Sequence, residues 1–67
     1  MITLEINGKT HQLEHSVSIA ELLDSLGFAG KPVVIELNKQ ALLPQEYRNT
    51  LVNNGSKVEI ITIAAGG

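Results

Sequence analysis

Cysteine is absent from this sequence. That excludes a cysteine nucleophile, a thiol redox pair and a cysteine-based zinc site. Small secreted domains usually depend on disulfides, so a reducing, cytoplasmic setting is the expectation. Aromatics amount to 3%, namely Phe28 and Tyr47, so the core must be aliphatic. Basic residues are few and isolated: Lys9, Lys31, Lys39, Arg48 and Lys57 stand singly against seven acidic residues, net −2. With no basic stripe and no aromatic platform for stacking, nucleic acid is not an expected partner. No run approaches the roughly 18 apolar residues of a membrane span, and no polybasic patch faces lipid. Met1 to Glu5 lacks the charged start and apolar run of a signal peptide.

What is present is a chain of 67 residues, 43% of them hydrophobic. A chain this short buries only about 60% of its unfolded surface, so it holds one small core. A two-domain enzyme is excluded, and a deep water-excluding pocket is not expected.

Ile2 to Ile6 alternates apolar and polar residues, which predicts a strand with Ile2, Leu4 and Ile6 on its buried face. Asn7-Gly8 is a strong hairpin signal, because both residues tolerate positive φ. Lys9 to Glu14 reads as the return strand, an edge with Leu13 as its large apolar residue. Ser18 and Glu21 form a capping box, with Val17 and Leu22 placed as a hydrophobic staple. Ile19, Leu22, Leu23 and Leu26 then trace one helical face, and Gly27 stops it. Val33 to Leu37 predicts a central strand, and Gln40 to Leu43 a short one after an Asn38-Lys39 turn. Pro44 to Tyr47 suits a helical turn, and Thr50 to Val52 a brief extended piece. Lys57 to Ile63 is the last strand. The order β-β-α-β-β-β gives a two-layer α+β domain, with the last strand parallel to the first.

Candidates for chemistry are thin along most of the chain. His11 and His15 fall on the second strand and its exit, about 13 Å apart, so both read as surface histidines. The carboxylates lack the burial that would set two of them to different pKa values. No nucleophile elbow and no glycine-rich phosphate cradle is present. The last strand is more informative. If Val58 and Ile60 fill the core, Ile61 and Ile63 lie on the outer sheet face as a docking patch. The end of the sequence is sharper still. Ala64, Ala65, Gly66 and Gly67 carry no side chain beyond a methyl. Extended, four such residues reach about 13 Å. A tail this thin can thread a partner's narrow channel and present a carboxylate there.

These pieces together resemble the ThiS family of sulfur carrier proteins of thiamine biosynthesis. The resemblance rests on Ile2 to Gly8, Val17 to Leu23, Val34 to Asn38, and Leu43-Pro44 with Tyr47 beyond. It continues through Asn54 to Ile60 and closes on Ala64-Ala65-Gly66-Gly67. It spans essentially the whole chain. Two departures stand out: Asn54-Gly55-Ser56 where the family often has Asp-Gly-Asp, and Gln45 where it often has a basic residue.

The resemblance implies a ubiquitin-like β-grasp fold, with a mixed sheet of four to five strands and one main helix on one face. Residues 1–63 would be the domain and residues 64–67 a flexible tail. The protein would be a carrier and co-substrate rather than an enzyme. It would bind no cofactor of its own; ATP and magnesium would belong to an E1-like adenylating enzyme. Gly67 would be the carrier residue, adenylated and then converted to a thiocarboxylate. Gly66, Ala65 and Ala64 would thread the partner, and Ile61 and Ile63 would dock it. The sulfur would come from a donor such as a cysteine desulfurase and pass to thiazole synthase. Rival expectations are the small subunit of molybdopterin synthase, a carrier for cysteine or another sulfur metabolite, a ubiquitin-like modifier of lysines, and a β-grasp interaction module with an inert tail.

Overall fold

A computed structural model describes residues 1–63; Ala64, Ala65 and Gly66, the expected threading residues, and Gly67, the expected carrier residue, lie outside the described residues. Strands β1 (Ile2–Ile6) and β2 (Lys9–Leu13) form the opening hairpin. Asn7 and Gly8 both have positive φ, as a two-residue hairpin turn of this twist requires. Helix α1 (Ile19–Ser25) follows, then β3 (Val33–Leu37), β4 (Gln40–Leu42), a 3-10 turn (Pro44–Glu46) and β5 (Lys57–Thr62). The sheet order is β2-β1-β5-β3-β4, with β1 and β5 parallel and the other pairings antiparallel. This is the two-layer α+β order read from the residues, with β2 at an edge, and the five-stranded β-grasp arrangement that the resemblance implies.

The boundaries differ from the expected ones by a residue each. β2 stops at Leu13, β4 at Leu42 and β5 at Thr62. Ile63 still donates its N–H to Pro32 O at 3.1 Å, so hydrogen bonding runs one residue past the strand. The extended piece before β5 is held by an isolated bridge between Leu51 and Ser18. Leu26, expected on the buried helical face, is instead the C-cap and partly exposed. The helix has already turned there: Gly27 at φ 86° lets Gly27 N–H reach Asp24 O and Phe28 N–H reach Leu23 O. That pair of bonds is a Schellman closure, which brings Phe28 back onto the core.

The core is aliphatic. Leu4, Ile6, Ile35, Val58 and Ile60 cover the inner sheet face and meet Ile19, Leu22 and Leu23 of α1, with Val52 closing one end. None of the helices among the described residues is long and apolar enough to cross a membrane.

The capping box fixes where α1 starts. Ser18 Oγ accepts from Glu21 N–H at 3.0 Å, and Glu21 Oε1 accepts from Ser18 N–H at 3.0 Å. The Ser18 backbone N–H, then its hydroxyl, hold the Glu21 carboxyl below the usual carboxylate value. Desolvation pushes the other way, and His15 adds a final lowering. Folding therefore favours ionised Glu21. Its contribution is complete above the unfolded pKa and is lost as pH falls through the depressed folded one. The Glu21→Gln variant is expected to flatten the acid side of a melting-temperature–pH curve. An unchanged acid limb would show that the cap carboxylate does not couple to folding.

Candidate functional site

Two surfaces are open to a site, a cleft beside α1 and the outer face of the sheet. The cleft, about 440 Å3, is lined by Leu13, Glu14, His15, Val17, Glu21, Asp24 and Ser25. It is shallow and lined partly by the cap. Glu21 is committed to Ser18 and held ionised, so it is unsuited to act as a general acid. His15 is exposed, with Nδ1 3.0 Å from Ser16 O, and His11 is half-buried on β2. Among the described residues, no three His, Asp or Glu side chains gather as metal ligands do.

The outer sheet face follows from alternation. In β5, Val58 and Ile60 are buried, so Lys57, Glu59 and Ile61 take the opposite side. In β3, Ile35 is buried, which sends Val34 and Glu36 outward. The antiparallel register sets Val34 opposite Ile61 and Glu36 opposite Glu59. Ile61 is 52% exposed and Val34 39%. Leu43, one residue past β4, is 56% exposed, and Ile63 is 51% exposed. The face is thus an apolar patch around Ile61, with an acidic pair beside it. α1 lies on the other side of the sheet, and no element among the described residues covers this one.

Ile61 and Ile63 therefore lie exposed where alternation predicts. Gly67, Gly66, Ala65 and Ala64, which follow Ile63 in the chain, lie outside the described residues. Alternation alone adds Val34 and Leu43 to the patch. The opposition of Glu36 and Glu59 needs the register.

Asparagine side chains fasten the strand that leads to the tail, and in the sequence they read only as turn residues. β1 ends at Ile6, but the Asn7 side chain continues its pairing. Asn7 Oδ1 accepts from Ile60 N–H at 2.7 Å, and Asn7 Nδ2 donates to Ile60 O at 3.2 Å. The amide mimics one more peptide of β1 and satisfies a backbone pair that would otherwise be orphaned. Asn38 does the same for Lys57, whose N–H donates to Asn38 Oδ1 at 2.9 Å while its carbonyl accepts from Asn38 N–H at 2.8 Å. Asn54 Oδ1 accepts from Thr3 N–H at 2.9 Å. The signal in the sequence is an asparagine close to a strand end.

Comparison with known proteins gives one family model, the ThiS family, matching residues 4–67. Among curated relatives, an uncharacterised protein, ycf40, of Porphyra purpurea is 36% identical over 66 residues, covering 98% of this chain and 93% of that one. A thiazole synthase of Paramagnetospirillum magneticum is 33% identical over 64 residues, covering 96% of this chain but 20% of its own length. Among solved structures, the crystal structure of a thiamine biosynthesis protein (ThiS) from Geobacter metallireducens superposes with a TM-score of 0.85. It is 32% identical, and the match covers 98% of this chain and 100% of that one.

Proposed function

This chain belongs to the ThiS family, and on that premise we propose that it is the sulfur carrier of thiamine biosynthesis, with Gly67 as the carrier residue. The observation that carries the reading is the family match from residue 4 through Gly67, which takes in the fold and Gly66-Gly67 alike. The exposed apolar face around Ile61, on the side of the sheet away from α1, supports it in a second way, because a carrier needs a surface on which a partner can seat.

A carboxylate is a poor electrophile. An E1-like adenylating enzyme, using ATP and magnesium, joins the Gly67 carboxylate to AMP with release of pyrophosphate and so gives it a leaving group. Persulfide sulfur from a donor such as a cysteine desulfurase displaces AMP to form an acyl disulfide, and a second thiol cleaves that S–S bond, becoming part of a disulfide and leaving the thiocarboxylate. Ala64, Ala65 and Gly66 thread the partner's channel, since glycine and alanine let backbone pass where larger side chains clash. Ile61 and Ile63 dock the body of the carrier. Thiazole synthase then receives the sulfur. The stretch similar to this chain inside a longer thiazole synthase supports that pairing, because there the two share one polypeptide.

Co-expression with the adenylating enzyme and a sulfur donor is expected to shift the intact mass by one oxygen-for-sulfur exchange. An unchanged mass in the presence of both enzymes would sink the reading. Covalent ladders on cell proteins would instead indicate a modifier. A molybdenum-cofactor defect in the deletion strain, in place of a thiazole requirement, would move the carrier to another pathway.

A further inference from the structure

We propose that the outer sheet face binds a partner surface bearing an arginine, whose guanidinium seats between Glu36 and Glu59 while Val34, Leu43 and Ile61 pack against apolar side chains around it. The proposal rests on the carrier reading and adds the chemistry of its first partner, the adenylating enzyme.

Glu36 and Glu59 are direct partners in the β3–β5 register. The next pair, Ile35 and Ile60, is buried, so both carboxylates must stand on the outer face. Directly opposed residues hold their Cβ atoms about 4.5–5.5 Å apart, and like charges so placed are destabilising. Within the face, relief is scarce. Lys57 lies two residues along β5, but it stands in register with Glu5 of β1. The strip Glu5, Lys57, Glu59 and Glu36 therefore holds three carboxylates against one ammonium.

The face is asymmetric in a way that selects its occupant. On one side of the acidic pair lies the apolar group Val34, Ile61 and Leu43; on the other lies Lys57. A wholly apolar partner would desolvate Glu36 and Glu59 without pairing them, which is costly. An acidic partner would add to the repulsion. A planar guanidinium answers both carboxylates with a fork of N–H donors, and it is weakly enough hydrated to enter an apolar surround. Packing on Ile61 and Val34 would lower the local dielectric and strengthen the pairing. The position suits the reaction. Ile63 ends the described chain beside this face, and the four residues beyond span at most about 14 Å. A partner seated here has the Gly67 carboxylate within that reach.

The test uses the full chain carrying Glu36→Gln and Glu59→Gln together, with Ile61→Ser as a second variant. Binding to the adenylating enzyme encoded in the same genome is measured over a range of salt concentrations, beside thermal melting. The double glutamine variant is expected to melt at or above the parent temperature, because a repulsion is gone. Its affinity should fall about tenfold or more, with a shallower salt dependence. Ile61→Ser should weaken binding without changing the salt slope. Weakening by Ile61→Ser alone would overturn the arginine seat and leave the docking reading standing. Unchanged binding in both variants would overturn the docking reading itself. A lower melting temperature in the glutamine variant would mark the pair as structural and defeat the proposal.

Discussion

Deleting Gly67 is expected to abolish the oxygen-for-sulfur exchange while leaving the melting temperature unchanged. Gly67 has no side chain to bury, so deleting it takes no apolar side chain from the cluster that residues between Leu4 and Ile60 form. A change away from the core normally moves stability by no more than about 0.5 kcal/mol. The chemistry is another matter. The truncated chain still ends in a glycine carboxylate, now that of Gly66. With the body docked on its sheet face, that carboxylate falls one residue short, about 3.5 Å. Reacting atoms must approach within about 3–3.5 Å, and a misplacement of about 1 Å already costs a hundredfold. A shortfall of a whole residue should therefore stop adenylation, not merely slow it. A Gly67→Ala variant separates length from bulk. It keeps the reach and adds one Cβ beside the reacting carbon, so partial exchange is expected. The readout is intact mass after co-expression with the adenylating enzyme and sulfur donor. Full exchange in the truncated protein would remove Gly67 from the mechanism.

Local chemistry makes most of the fold legible in the sequence. Asn7-Gly8 reads as a hairpin because two adjacent residues that tolerate positive φ leave few other options. Asn38-Lys39 reads as a turn on weaker grounds, and there Lys39 takes φ 70° without being glycine. Ser18 and Glu21 locate the helix start because a capping box is complete within four residues. The parallel pairing of β1 and β5 follows from connectivity, since a helix crossover leaves the sheet centre free for the last strand.

The features that escape the sequence all depend on what lies across the sheet or beyond a turn. Glu36 and Glu59 stand far apart along the chain and look like two ordinary surface carboxylates until the register makes them opposite. The Asn7 amide reaches Ile60 across 53 residues of sequence. Leu26 fits the helical periodicity, but periodicity cannot report that Gly27 has already turned the chain. For the candidate site, alternation is enough to expose Ile61 and Ile63. The acidic half of the same face requires the pairing partner.

Truncating Ile35 to alanine is expected to be the most damaging single change within the fold. Ile35 is 0% exposed, paired with Leu42 on one side and Ile60 on the other, in the same cluster as α1. Removing most of a buried isoleucine side chain costs about 2–5 kcal/mol, through lost burial and the cavity left behind. Repair by collapse is poor here. Its neighbours are short branched side chains on a hydrogen-bonded sheet, and no aromatic among the fully buried residues can swing into the gap. A core this small rarely supplies more than about 3–5 kcal/mol in total, so the variant stands near its own unfolding threshold. For a domain of this size each kcal/mol moves the midpoint by about 4–8 °C, which predicts a fall of about 10–30 °C. Ile35→Val should cost only about 0.5–1.5 kcal/mol and grade the effect. Denaturant melts check both, and an unchanged slope would assign the loss to stability rather than to a changed unfolded state. The two damaged carriers should then differ in one decisive respect. Sulfur loading of Ile35→Ala should follow the folded fraction and recover on cooling, whereas the chain lacking Gly67 should stay unloaded at every temperature. Recovery of the truncated chain on cooling would mean that the last residue acts through the fold after all.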